Sequence, residues 1–107
     1  MTAPFVQSVR TRGEAIRVGD GQGRVLSLRV EVPEIWDVVR VLAPESTPVI
    51  AVKDAVLRTV IPNADEMHYV MKLRGWEVLD EGQSLAEAGA LEGSIFLLTH
   101  RRRRPVR

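Results

Sequence analysis

Gly82-Gln83-Ser84-Leu85-Ala86-Glu87-Ala88-Gly89-Ala90-Leu91-Glu92-Gly93-Ser94-Ile95-Phe96-Leu97-Leu98-Thr99-His100 is the stretch on which the fold is decided. An acidic turn, Asp80-Glu81-Gly82, leads into it. Ser84 to Ala88 predicts one short turn of helix. Gly89 and Gly93 then punctuate the chain, and Ile95 to Thr99 is an unbroken run of β-formers. Alternation along this last strand predicts Ile95 and Leu97 toward a core, with Phe96, Leu98 and His100 facing out.

Working back from there, Met67 to Leu73 predicts a strand in which Tyr69, Met71 and Leu73 oppose His68, Val70 and Lys72. Gly75 breaks it, and Trp76 to Leu79 forms a short further strand. Upstream, Val49 to Ile61 carries Val49, Val52, Val56 and Val60 at helical spacing, with Lys53, Asp54 and Arg58 expected outward. Ser46 or Thr47 is the expected cap, and Pro48 suits the first helical position, where a missing N–H costs nothing. Val and Ile lower the intrinsic helix propensity of this segment, so it is expected to depend on packing against a sheet. Arg24 to Val32 and Ile35 to Leu42, separated by Pro33-Glu34, read as an antiparallel hairpin with Leu26, Leu28, Val30 and Val32 on its inner face. The order of elements predicts an α+β fold: a mixed sheet with one main helix across one face.

Residues 1–23 are weakly patterned and end in Gly19-Asp20-Gly21-Gln22-Gly23, a strong loop signal. They are expected to be an N-terminal extension, partly disordered, with a short strand or helix near Phe5 to Val9. Residues 24–100 form the folded domain, and residues 101–107 a basic tail.

The composition narrows the functional classes. A chain of 107 residues with 45% hydrophobic and 27% charged residues is one globular domain. It has no cysteine, which excludes disulfides, thiolate catalysis and Cys-built zinc sites. Nothing approaches the roughly 20 apolar residues of a membrane span, and no basic segment followed by an apolar run marks a signal peptide. These features fit a cytoplasmic protein. The net charge of +1 hides an asymmetry: residues 101–107 contain five arginines and no acid, whereas the rest carries more acids than bases.

Three places carry a resemblance. Pro44-Glu45-Ser46-Thr47 precedes the helix start Val49-Ile50-Ala51-Val52-Lys53. Leu79-Asp80-Glu81-Gly82-Gln83-Ser84-Leu85 matches a Leu-acid-acid-Gly-x-Ser/Thr-Leu turn, and Gly93-Ser94-Ile95-Phe96-Leu97-Leu98 matches a last strand. Together and in order, from Arg24 to Arg104, they resemble the ubiquitin-like β-grasp family. Among bacterial members the chain is similar to the YukD/EsaB-type proteins of type VII secretion. The resemblance implies a non-catalytic protein–protein interaction module without a cofactor, linked to such secretion. The alternative it implies is a modifier that an activating enzyme charges at its C-terminus. Modifiers of this family end in Gly-Gly, where Arg103 and Arg104 stand here, and glycines let the chain end enter a narrow active-site channel.

The family's recognition patch lies on the outward sheet face. Carried onto this chain, the partner-binding residues are expected to be Val70, Lys72, Phe96, Leu98 and His100. If Phe96 and Leu98 face solvent, either residues 1–24, through Phe5, Val6 and Val9, or a partner must cover them. The tail residues Arg101, Arg102, Arg103, Arg104 and Arg107 suit an acidic protein, a nucleic acid or an anionic membrane surface. Their lack of interleaved aromatics argues against base stacking. Trp36 and Trp76 are expected to lie partly buried at the sheet edge. His68 and His100 lack the further ligands of a metal site, and no nucleophile motif or phosphate loop is present.

Overall fold

The computed structural model describes residues 15–19 and 23–101. Six strands form one mixed sheet: β1 (Ala15–Arg17), β2 (Val25–Val32), β3 (Asp37–Pro44), β4 (Tyr69–Leu73), β5 (Trp76–Glu77) and β6 (Ile95–His100). Their order across the sheet is β1-β3-β2-β6-β4-β5. β2 and β3 are an antiparallel hairpin, and β6 enters parallel to β2 and antiparallel to β4. Helix α1 (Val49–Val60) crosses one face, and the short α2 (Leu85–Ala88) precedes β6. The expected α+β architecture is therefore present. The expected strand or helix near Phe5 to Val9 lies outside the described residues.

β2 follows its alternation: Leu26, Leu28, Val30 and Val32 are buried, and Arg29 and Glu31 are exposed. Val39, Val41 and Ala43 of β3 join them, and α1 adds Val49, Val52, Val56 and Leu57. Because α1 is rich in β-branched residues, this packing rather than propensity stabilises it. Its start differs from expectation. Pro48 is the cap residue and makes no side-chain bond. The free N–H groups are met instead by backbone: Val49 N donates to Gln83 O at 2.9 Å and Ile50 N to Glu81 O at 2.8 Å. The Glu81–Gln83 turn thus acts as the helix cap, which a local sequence window does not reveal. Lys53, expected outward, is buried, and its Nζ donates to Glu81 Oε1 (2.6 Å) and to Tyr69 O (3.1 Å).

The sheet begins earlier than Arg24. β1 runs parallel to β3, pairing Ala15 with Arg40 and Arg17 with Leu42, and Val18 N donates to Leu42 O at 2.9 Å. The hairpin strand β3 starts at Asp37 rather than Ile35, because Pro33–Ile35 form a 3₁₀ turn that ends in Trp36 with φ 55°. Ser84 and Glu87 form a reciprocal capping box on α2, the S-x-x-E spacing realised in three dimensions.

The largest correction concerns β6. Phe96 and Leu98 are fully buried under α1, not exposed, and Ile95 is the exposed residue. Register explains it: Phe96 pairs with Val30 and Leu73, and Leu98 with Met71, all residues of the core face. β6 is apolar on both faces, so alternation alone does not choose its phase, and a one-residue slip reverses every side chain. His100 pairs with Tyr69 and so shares the core-side face as well.

Candidate functional site

The sheet face opposite α1 is the surface on which neither helix lies. Cross-strand neighbours build it in rows. One row runs from Glu77 through Lys72, Leu97 and Glu31 to Val38. The next runs from Ile95 through Arg29 and Arg40 to Ala15. Ile95 and Val38 are nearly half exposed, at 46% and 49%. Arg29, Glu31 and Arg40 are exposed too, and Leu42, Leu97 and Thr99 are half-buried. The face is therefore a mixture of branched aliphatic and arginine side chains.

Of the five residues expected to form one patch, this face holds Val70 and Lys72. Val70 is opposite Thr99 and is buried, and Lys72 is opposite Leu97. Phe96 and Leu98 belong to the core beneath, and the residues in their stead are Ile95, Leu97 and Thr99. What turns them inward is the register itself, Met71 opposite Leu98 and Leu73 opposite Phe96, and no local pattern in β6 signals that register.

His100 sits at the sheet end with its ring edge-on to Tyr69 at 4.9 Å and 6.1 Å from the ring of His68. The Tyr69 hydroxyl donates to Glu34 Oε1 at 2.6 Å, tying the β2–β3 hairpin tip to β4. Burial of the phenol, the bond to Glu34 and the charge of that carboxylate push its pKa up to about 12. Arg101, first residue of the basic tail, donates its backbone N–H to His68 O, and its guanidinium reaches Glu77 at 3.5 Å. Arg102, Arg103, Arg104 and Arg107 lie outside the described residues. Both tryptophans differ from expectation: Trp36 is 94% exposed and Trp76 79% exposed.

Among the described residues no three His, Cys, Asp or Glu side chains are grouped to hold a metal, and no helix is long and apolar enough to cross a membrane. An open groove of about 310 Å³ lies between α1 and the Ala64–Glu66 loop, lined by Asp54, Leu57, Arg58, Asp65 and Glu66. Arg58 in it is paired with Asp54 at 2.9 Å, so the groove carries a satisfied ion pair rather than a poised acid and base.

No protein-family model matches the chain, and no curated protein sequence matches it. Solved structures do. The ubiquitin-like domain of an Arabidopsis thaliana protein superposes with a TM-score of 0.65 at 18% identity, over 82% of this chain and 89% of that one. The C-terminal ubiquitin-like domain of mouse tubulin-specific chaperone e gives a TM-score of 0.65 at 16% identity, covering 81% and 97%. The ubiquitin of Caldiarchaeum subterraneum gives 0.63 at 15% identity, covering 74% and 96%. At these identities the likeness shows the fold, a ubiquitin-like β-grasp.

Proposed function

We propose that this chain is a non-catalytic, cytoplasmic interaction module of ubiquitin-like fold, with the open sheet face as its working surface. The observation that carries this reading is the composition of that face: Ile95 and Val38 stand solvent-exposed beside Lys72, Arg29 and Arg40. Exposed aliphatics flanked by long cationic side chains are what a protein interface uses, the former for burial and the latter for orientation and rate of encounter. The motif resemblance to the YukD/EsaB type supports service in a bacterial secretion system, the finer part of the proposal.

The test compares wild type with the double variant Ile95→Ser/Leu97→Ser and with Ile50→Ser, an exposed helix position, as bait in cells of the source organism. A partner that is lost with the sheet variant and retained with the helix variant is the expected result. Retention of every partner by the sheet variant overturns the proposal.

A further inference from the structure

Trp36 is the most exposed large apolar side chain among the described residues, at 94%. Its backbone is unusual as well. It closes the Pro33–Ile35 turn at φ 55° and ψ 42°, a left-handed conformation that is an outlier for a bulky residue and natural for glycine. An indole so exposed returns almost no packing to the domain. Backbone strain kept at an exposed aromatic points to a role outside the fold. Topology sets its neighbours. The order β3-β2-β6-β4, with β6 parallel to β2 and antiparallel to β4, brings three features to one end of the sheet. They are the β2–β3 tip with Trp36, the last residues of β6, and the turn before β4 with Met67, which is 74% exposed. The bond from the Tyr69 hydroxyl to Glu34 fastens the tip to the start of β4. Between them β6 ends at His100, the Arg101 N–H donates to His68 O, and Arg102, Arg103, Arg104 and Arg107 follow in sequence. An exposed Trp and an exposed Met thus flank the point where the arginine run begins.

We infer that this end of the sheet docks on an anionic phospholipid surface, Trp36 and Met67 entering the headgroup layer while the arginine run meets the lipid charge. The inference is independent of the open sheet face. Stable attachment to a bilayer surface takes two signals, such as an apolar contact and a polybasic segment, because one alone is marginal. Both arise here at one place. Trp suits the interface because its ring is apolar and its N–H finds partners among the headgroups. Trp36 and Met67 stand on separate turns, either side of a charged strand end. A protein hot spot lies instead inside a contiguous ring that excludes water. The arginine run contains no aromatic on which bases could stack, which disfavours single-stranded nucleic acid. The acids at this end define what the arginines must do. Glu34 is bonded by Tyr69, Asp37 accepts from the Val38 N–H and Asp65 from the Met67 N–H, and Glu66 adjoins Asp65. Their charge opposes an anionic surface. The attraction therefore comes from the arginines beyond Arg101, whose own guanidinium is held by Glu77.

The test uses the full chain with the exposed Trp76 changed, Trp76→Phe, so that tryptophan emission reports Trp36 alone. Phosphatidylcholine vesicles containing about 30% phosphatidylserine are expected to shift that emission to the blue and to carry the protein down on sedimentation. Pure phosphatidylcholine vesicles should bind at least about tenfold more weakly, and binding to the mixed vesicles should fall about tenfold between 50 and 300 mM salt. Trp36→Gly suits the left-handed backbone and Met67→Ser alters an exposed side chain. Their double variant should therefore keep or exceed the wild-type urea midpoint, yet co-sediment at least about tenfold more weakly. Arg102→Gln/Arg103→Gln/Arg104→Gln should lose about a hundredfold. Co-sedimentation without a blue shift, or a double variant that binds as wild type does, overturns the docking of this end. Equal binding to the two kinds of vesicle overturns the role of the arginine run. Tighter binding of a uridine dodecamer or a polyglutamate peptide than of the mixed vesicles, released by the same arginine changes, overturns the lipid assignment. Absence of binding to either vesicle overturns it outright.

Discussion

Lys53 shows how one side chain can tie three elements together. It sits on the buried side of α1, and its ammonium bonds the Glu81 carboxylate of the turn before α2 and the Tyr69 carbonyl at the start of β4. An ammonium with 3% exposure is tolerated only with partners. Glu81→Ala is therefore expected to cost about 3 kcal/mol in urea unfolding, because it strands a buried charge. Lys53→Met/Glu81→Leu, which removes both charges and keeps the volume, should recover most of that loss. An equal loss in both variants would show that the pair's geometry, not its charge balance, holds the turn. Tyr69 offers a second test, made clean because it is the only tyrosine in the chain. Its pKa is raised to about 12, first by burial and then by Glu34. A raised folded pKa means that the neutral phenol is the form the fold prefers. Its contribution is complete below the unfolded value near 10 and is lost as pH rises from there through 12. Tyrosinate absorbance should titrate near 12 in the native protein, and Glu34→Gln should bring the midpoint down without returning it to 10. A native midpoint at 10 would contradict the burial of the phenol and its bond to Glu34.

At the scale of elements, legibility depended on whether a pattern was one-sided. β2 alternates between aliphatic and polar residues, so its inner face could be read directly from Leu26, Leu28, Val30 and Val32. β6 reads Ile-Phe-Leu-Leu, apolar on both sides, and only its pairing with Val30 and Met71 fixes its phase. Phe96 and Leu98 face the core against expectation for that reason: Lys72 and Val70 stand on a strand with a legible phase, Phe96 and Leu98 on one without. The cap of α1 was hidden differently. Its acceptors, Glu81 O and Gln83 O, lie about thirty residues downstream, and no local window contains them. α2 was the reverse case, since Ser84 and Glu87 hold the capping box within four residues and Gly89 closes the helix at φ 94°. So short a helix relies on its ends, and its first amides are also engaged elsewhere: Leu85 N bonds Thr47 O, and Ala86 N bonds Glu45 O. Ser84→Ala is expected to lower stability by about 1 kcal/mol. The Glu87 N–H should show the largest gain in exchange rate within α2. An unchanged midpoint would assign the stability of α2 to the two long-range bonds.

The whole molecule is a sheet closed at one edge by the chain's own N-terminal segment. β1 occupies the outer edge of β3 that the hairpin alone would leave open, and Ile16 packs against the core from there. An unprotected edge is a template for unwanted pairing, and a short cis strand covers it. Gly19 stands two residues after β1. Its φ of +88° is a region that side chains rarely adopt, and an added Cβ would lie 2.8 Å from Thr47 Oγ1 and 3.0 Å from Pro44 Cδ. Thr47 is itself buried, so it has little room to yield. Gly23 provides the control. Its φ is +78°, but an added Cβ there meets nothing within 4 Å. Gly23→Ala should therefore cost only the conformational term, about 1 kcal/mol. Gly19→Ala carries the same term plus a collision at the junction of β1, β3 and the start of α1, and should cost about 1 kcal/mol more. Beyond the size of the loss, its location distinguishes the two. In Gly19→Ala the Val18 amide, bonded to Leu42 O, should exchange faster by a larger factor than the core amide of Val30, because the edge strand opens before the sheet does. Equal costs for the two alanines, with parallel changes at Val18 and Val30, would mean that β1 is not held by this junction and that the closed edge depends on its ladder alone.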